Sequence, residues 1–152
     1  MLKPALLLCF AIWPCSQVVM SEPTLYERLG GEEGVAAIAH GVVEQGKRDP
    51  KTAKHFDKFN QSRTEKLIAQ QLCSLTHGGC VYEGENMRVA HAGLNIREPA
   101  FYATVQHLRN VLDERGVGDS AKNQLLRILA PMKRQIVQTG AAPAPATNPK
   151  AD

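Results

Sequence analysis

Side chains suited to a core recur at intervals of three or four residues along most of the chain. This period places them on one face of a helix. Four segments share the pattern, and their core-facing positions are Val35, Ile38 and Val42; Thr64, Ile68, Leu72 and Leu75; Phe101, Val105, Leu108 and Leu112; and Leu125, Leu129, Met132 and Ile136. No stretch alternates convincingly between apolar and polar residues, as a half-buried strand would. The pattern therefore predicts an all-α fold.

Capping residues indicate where several of these helices begin. Thr24 is a preferred N-cap for a short first helix, and Gly30 and Gly31 break the chain after it. Ser62 and Glu65 have the spacing of a capping box, which predicts the start of the second long helix.

Glycine and proline predict the remaining breaks. Pro50 suits the first position of a short helix. A further short element is expected at residues 86–92. Pro131 lies inside the last helical pattern and should kink that helix or remove one of its hydrogen bonds. The expected helix ends are at Gly46, at Gly78 with Gly79, at Gly93 and at Gly116.

The two ends of the chain differ from its helical middle. Lys3 precedes a short apolar run at residues 5–13, whereas a membrane-spanning helix needs about twenty residues. A positive start and a short apolar segment are typical of a secretory signal peptide. We therefore expect residues 1–20 to be a signal-like leader and the protein to be exported, to the periplasm or another extracytoplasmic compartment. An uncleaved, marginally hydrophobic N-terminus and a misassigned start codon are the alternatives.

Residues 139–152 are rich in alanine and proline and almost lack large apolar side chains. Such a segment cannot bury enough surface to offset the entropy of ordering, so we expect a disordered tail. Residues 21–138 remain, and their length suits one domain.

Composition narrows the classes of partner. The net charge is +3, without a block of lysine and arginine, so nucleic-acid binding is not predicted. Contact with a membrane is expected only through the leader, if it stays uncleaved. Aromatic residues make up 5% of the chain. The core must therefore be filled by aliphatic side chains or by a bound group that the chain does not encode.

Two cysteines lie outside the leader. Cys73 and Cys80 are seven residues apart, and an even pair in an exported chain suggests a disulfide. Free thiols are the main alternative. His77 lies between them, but three candidate ligands make a poor zinc site. His40, His55 and His107 stand at the ends of polar stretches, and we expect all three at the surface.

His91 is the strongest candidate for a functional residue. It stands among small and apolar residues in MRVAHAGLNI, residues 87–96. A lone histidine on an apolar face is commonly structural, yet a neutral imidazole is also a good ligand for iron, copper or zinc. No second ligand stands at a fixed spacing from it. A porphyrin would fill the other coordination positions of a metal and would add core volume.

An ordered set of motifs extends this interpretation. LYERLGGEEGV (25–35), Phe56, LCSLTHGGCVYEGENM (72–87), HAGLNI (91–96) and RILAPMKRQIV (127–137) follow one another along the chain. Together they resemble the group 1 truncated haemoglobins, and the resemblance covers residues 24–138. It implies a two-over-two helical sandwich around haem b, with His91 as the proximal iron ligand. One departure is that His77 takes the place of the first glycine of the family's second glycine pair.

The resemblance also implies roles for the neighbours of His91. Arg88, one turn before it, would reach a haem propionate, because guanidinium pairs well with carboxylates; a solvated surface charge is the alternative. Phe56 matches a phenylalanine that wedges against the ring, and Phe59 should pack nearby. The side chains expected on the proximal face are Leu94, Ile96, Phe101 and Val105.

The distal side departs further from the family. The family often has a tyrosine and a glutamine there, which donate hydrogen bonds to the gas, and those places hold Val43 and Ile68. Thr64, Thr104 and Gln71 are the remaining candidate donors near the pocket. We therefore predict a largely apolar distal pocket that binds dioxygen weakly or releases it fast.

The resulting function is reversible binding of dioxygen, nitric oxide or carbon monoxide at haem iron, with a reductase as a further partner. No general acid or base is evident, so catalysis is not the leading expectation, although nitric oxide dioxygenase or peroxidase-like activity would be compatible with haem. One alternative is a haem-free helical redox module that uses Cys73 and Cys80. Another is a structural helical module docked at a membrane through its leader.

Overall fold

A computed structural model describes residues 21–57 and 59–138 of the chain. The predicted leader and tail lie outside these residues. Seven α-helices and two short 3-10 helices make up the regular structure of the described part. They are α1 (Leu25–Arg28), α2 (Gly31–Arg48), the first 3-10 helix (Ala53–His55), α3 (Gln61–Leu75), α4 (Met87–Ala90), α5 (Glu98–Glu114), α6 (Asp119–Leu129), the second 3-10 helix (Ala130–Met132) and α7 (Lys133–Ile136).

Helix α2 is the central element of the fold, because it packs along both α3 and α5. The short α1 contacts α2 and α6, and α7 packs against α4. The arrangement is all-helical within the described residues, as the apolar period predicts. None of these helices is both long and apolar enough to cross a membrane.

The core is aliphatic and follows the predicted helix faces. Ile38, Leu112 and Leu125 are fully buried, each with 0% exposure. Val35 and Val42 of α2, Leu72 of α3 and Leu108 of α5 are buried with them, as are Leu25, Leu29, Cys73, Val111 and Ala121. The apolar period therefore identified the inner face of each long helix.

Two capping predictions have different outcomes. Thr24 caps α1 in a complete capping box, since its hydroxyl accepts from the Glu27 amide at 3.2 Å and the Glu27 carboxylate accepts from the Thr24 amide at 2.7 Å. The predicted box of Ser62 and Glu65 is wrong. Asn60 caps α3 instead, because its side-chain oxygen accepts a hydrogen bond from the Arg63 amide at 2.9 Å. The helix has therefore already begun where Ser62 stands.

Gly46 does not close α2, as the sequence predicted, because the helix continues to Arg48. Gly46 is buried, and a Cβ atom added to it would lie 2.5 Å from Cε2 of the Phe56 ring. The glycine is thus explained by the close approach of this ring. Pro50 lies in a turn before the first 3-10 helix and is not its first residue, which corrects a second prediction. The break predicted at Pro131 is confirmed, because the second 3-10 helix separates α6 from α7 there.

The surface prediction is right for His40, which is exposed, and wrong for His107. His107 has 7% exposure, and its Nε2 lies 3.0 Å from Oδ2 of Asp49. This pair ties α5 to the end of α2. The Lys51 amide and then His107 hold the pKa of the Asp49 carboxyl below its usual value. His55 is half-buried, so the surface prediction is wrong there too, and burial lowers the pKa of its ring.

Candidate functional site

His91 stands at the C-terminal end of α4, a helix of one turn. Asn86 caps the start of this helix by accepting from the Val89 amide at 3.1 Å. At its other end, His91 Nδ1 lies 2.8 Å from the Met87 carbonyl oxygen. A carbonyl can only accept, so Nδ1 carries the proton and Nε2 keeps a free lone pair. This hydrogen bond orients the ring as a metal ligand requires.

The environment of His91 favours the neutral ring. The side chain is half-buried, and burial lowers the pKa of His91 although the Met87 hydrogen bond opposes this shift. A neutral imidazole is the form that binds a metal. Arg88, one turn earlier, is exposed, and no carboxylate among the described residues forms an ion pair with it.

The apolar side chains predicted to line the cofactor are mostly half-buried. They come from the turn after α2, from α3, from the loop after His91 and from α5, and they are Phe56, Ile68, Leu94, Phe101 and Val105. Ile96 is buried at 9% exposure, and Phe59 is 43% exposed. A flat apolar ring would be stabilised by covering such side chains. Half-buried apolar side chains and an oriented, neutral imidazole are the groups that haem requires.

The distal candidates offer few free donors. Val43 has 1% exposure and lies inside the core, whereas Ile68 is half-buried. The Thr64 hydroxyl donates to the Asn60 carbonyl at 3.0 Å, and the Thr104 hydroxyl donates to the Ala100 carbonyl at 3.1 Å.

The third candidate donor is also engaged, because the Gln71 amide donates to the sulfur of Met87 at 3.3 Å. All three polar side chains that the sequence offered as donors to a gas therefore direct a proton to the protein itself. This contact also joins α3 to the residue whose carbonyl orients His91.

Cys73 lies in the last turn of α3, and Cys80 lies in the chain that follows this helix. Their sulfur atoms are within bonding distance, and their Cα atoms are 5.7 Å apart. His77 adopts the left-handed conformation, with φ of 65°, which glycine adopts more readily than other residues. A Cβ atom on Gly78 would lie 2.6 Å from Cys73 Sγ. No cluster of three metal-ligating side chains exists among the described residues, so the zinc alternative finds no support.

Sequence reasoning missed one residue near the site. Gln138 follows α7, and its side chain is bonded to the backbone of His91 and of Asn95. Its partners are 47 and 43 residues away along the chain, so no local pattern could have indicated it.

The sequence model of the bacterial-like globin family matches residues 24–138. The chain belongs to this family. Among its relatives, the globin is 28% identical to a group 1 truncated haemoglobin of Tetrahymena pyriformis over 119 residues, which cover 78% of this chain and 98% of the relative. It is 26% identical to a group 1 truncated haemoglobin of Nostoc sp. (strain MUN 8820) over 114 residues, or 75% of this chain and 97% of that relative.

Solved structures agree with the fold of this globin. The Fe(III) form of the truncated haemoglobin from Tetrahymena pyriformis superposes with a TM-score of 0.73 at 26% identity, covering 77% of this chain and all of that chain (100%). The 2/2 haemoglobin of Synechococcus sp. PCC 7002, crystallised with covalently attached haem, gives a TM-score of 0.70 at 18% identity and covers 76% of this chain and 98% of that one. The second likeness shows the fold alone.

The resemblance to group 1 truncated haemoglobins and the two-over-two fold are therefore confirmed. The protein is a haem-binding globin. A haem-free redox module is not favoured, because the family match spans the described helices from the cap of α1 to Gln138.

Proposed function

We propose that this globin binds a diatomic gas reversibly at a haem iron held by His91, in a largely apolar distal pocket. The observation that carries the proposal is the hydrogen bond between His91 Nδ1 and the Met87 carbonyl, 2.8 Å long, which leaves Nε2 free for iron. When bound, haem supplies an open coordination position at which dioxygen, nitric oxide or carbon monoxide is held.

The residues of the chain would hold and enclose this group. His91 provides the proximal ligand, and Leu94, Ile96, Phe101 and Val105 provide apolar contact on its side. Phe56 packs on Gly46 of α2, which fixes the ring where it would press on the macrocycle. Arg88 is exposed and unpaired within the described chain, so its guanidinium would be available to a propionate.

The distal donors already form hydrogen bonds within the protein, which supports weak stabilisation of a bound gas. The hydroxyls of Thr64 and Thr104 donate within their own helices, and the Gln71 amide donates to Met87. A new bond from either hydroxyl would require breaking its present bond, and the Gln71 amide has only its second N–H proton to offer. Dioxygen would then leave quickly, and the pocket would discriminate little between dioxygen, carbon monoxide and nitric oxide.

A visible spectrum tests the proposal. We expect each full chain to bind one haemin and to show a Soret band. This band should shift when the protein is reduced and exposed to carbon monoxide. A folded chain that stays colourless in the presence of haemin would end this proposal. Bovine serum albumin with the same haemin is the control for adventitious haem binding.

Gas transport or storage fits the pocket better than catalysis does. The distal residues are apolar or have their donors engaged, so no acid or base stands ready for proton transfer. A reductase that keeps the iron ferrous would be a partner in this role. Nitric oxide dioxygenase activity would require the same partner.

We also propose that the protein is exported and carries a Cys73–Cys80 disulfide. Disulfides persist in oxidising compartments, and residues 1–20 have the character of a secretory leader. The approach of the two cysteines, with Cα atoms 5.7 Å apart, supports the bond. It would clip the end of α3 to the chain that leads towards His91.

Reducing this bond is expected to lower the free energy of unfolding by about 2–3 kcal/mol, because the unfolded chain regains the freedom of the closed loop. Urea unfolding of the haem-free chain, with and without a phosphine reductant, measures the change. Cys80→Ser is the matched variant, since Cys80 is exposed and its replacement leaves no cavity. The free energy of unfolding of the variant should equal that of the reduced wild type, and the reductant should not change it. An unfolding midpoint that the reductant leaves unchanged in the wild type would show that the thiols are free.

A further inference from the structure

Gln138 makes three hydrogen bonds to the loop that carries the proximal histidine. Its backbone amide donates to the Ile96 carbonyl at 2.9 Å. Its side-chain oxygen accepts from the Asn95 amide at 3.0 Å, and its side-chain nitrogen donates to the His91 carbonyl at 2.9 Å. One residue thus holds the loop at both ends.

Two of the bonded groups lie in the irregular backbone that follows α4. The His91 carbonyl also accepts from the Leu94 amide at 3.3 Å, so the Gln138 side chain gives it a second and shorter hydrogen bond. Asn95 adopts the left-handed conformation, with φ of 51°, which asparagine tolerates better than most residues other than glycine. Accepting the Asn95 amide proton stabilises this conformation, and the loop then turns back so that Ile96 is buried at 9% exposure.

The position of Gln138 follows from the last helix. Helix α7 packs against α4, and the chain leaves it in an extended conformation at Val137, with φ of −76° and ψ of 123°. Gln138 therefore lies beside residues 91–96 and is hydrogen-bonded to them through both its backbone and its side chain. The His91 ring is oriented by Met87, and the His91 backbone is held by Gln138.

We propose that Gln138 is a positioning residue for the proximal iron ligand: it fixes the backbone of residues 91–96 and so sets how firmly His91 holds haem. This inference rests on the proposed function, in which His91 binds iron. Gln138 itself touches neither haem nor gas in this role.

Substitutions at Gln138 separate its two side-chain bonds. Gln138→Met keeps the length of the side chain and removes both bonds, whereas Gln138→Glu keeps an acceptor for the Asn95 amide and puts a carboxylate oxygen in place of the donor to the His91 carbonyl. Gln135→Met is the matched control, because Gln135 is an exposed glutamine of α7, the helix that precedes Gln138. All are made in the full chain.

We expect haem transfer to an excess of apomyoglobin to be about five- to fiftyfold faster from Gln138→Met than from wild type, since each hydrogen bond contributes a factor of a few. For Gln138→Glu we expect roughly two- to tenfold. Gln135→Met should match the wild type. The iron–histidine stretching band of the reduced, gas-free protein should shift in both Gln138 variants and stay in place in the control, which a role in general stability would not produce.

Hydrogen exchange in the full chain, as purified, supplies a second measurement. The Asn95 amide should exchange faster in Gln138→Met and at the wild-type rate in Gln138→Glu. If the wild type refuses haem, the proposed function fails, while this exchange experiment still tests the contact. If the wild type binds haem and both Gln138 variants behave like Gln135→Met, the role of Gln138 is refuted. Should Gln138→Met fail to fold, Gln138→Glu decides the question alone.

Discussion

His91→Ala removes the native Soret spectrum and speeds haem loss by more than about a hundredfold, because losing even an outer partner of a metal ligand typically costs ten- to a hundredfold. The physical reason is the loss of the one side chain that is both neutral and oriented for coordination. Its Nδ1 is bonded to the Met87 carbonyl, and burial lowers the pKa of the ring. Absorbance and the rate of haem transfer measure the change.

His40→Ala is the control, since His40 is an exposed histidine far from α4 in sequence. His91→Gly offers a stronger test, because the space it leaves admits free imidazole. Adding imidazole should restore the spectrum in that variant and do little in wild type. A wild-type spectrum and haem-loss rate in His91→Ala would mean that another residue ligates the iron.

Ile68→Gln is expected to slow dioxygen release by roughly ten- to a hundredfold, because a hydrogen bond to a group with charge character contributes about 1.5–3 kcal/mol. Ile68 is half-buried, so an amide of similar volume fits there. The Thr64 and Thr104 hydroxyls already donate to the protein, and one N–H proton of Gln71 is engaged, so the new amide would add a donor that these contacts do not occupy. Rapid mixing or flash photolysis measures the release rate.

Ile68→Met is the matched control, because it has comparable volume and no donor. Carbon monoxide release should change much less than dioxygen release in Ile68→Gln, since carbon monoxide is a weak acceptor. Equal effects of glutamine and methionine would show that Ile68 does not face the gas. Val43→Tyr is the less suitable variant, because Val43 has 1% exposure and an added ring would overpack the core.

The parts of the fold that depend on short-range order were predictable from the sequence. The buried faces of the long helices follow from a period of three to four residues, and the Thr24 box depends on a partner only three residues away. The start of α3 was missed because Asn60 and Ser62 are both good N-caps, and the sequence does not say which one the preceding turn favours.

Features that depend on distant contacts were not predictable. His107 is polar and was expected at the surface, but a carboxylate 58 residues away makes its burial tolerable. In the sequence, Gly46 has the character of a helix end. In the structure, the close approach of the Phe56 ring explains the glycine. The order of several motifs indicated His91 as the iron ligand. The hydrogen bond from Gln138 to the His91 backbone could not be predicted, because Gln138 is 47 residues away along the chain.

The bonds of Gln138 have a practical consequence for protein engineering. The family match ends at this residue, and the Gln138 amide is bonded to the Ile96 carbonyl of the proximal loop. A reporter or purification tag fused immediately after residue 138 would therefore pull on the segment that carries the iron ligand. A fusion placed after residue 152 would instead be separated from Gln138 by the 14 residues 139–152 along the chain.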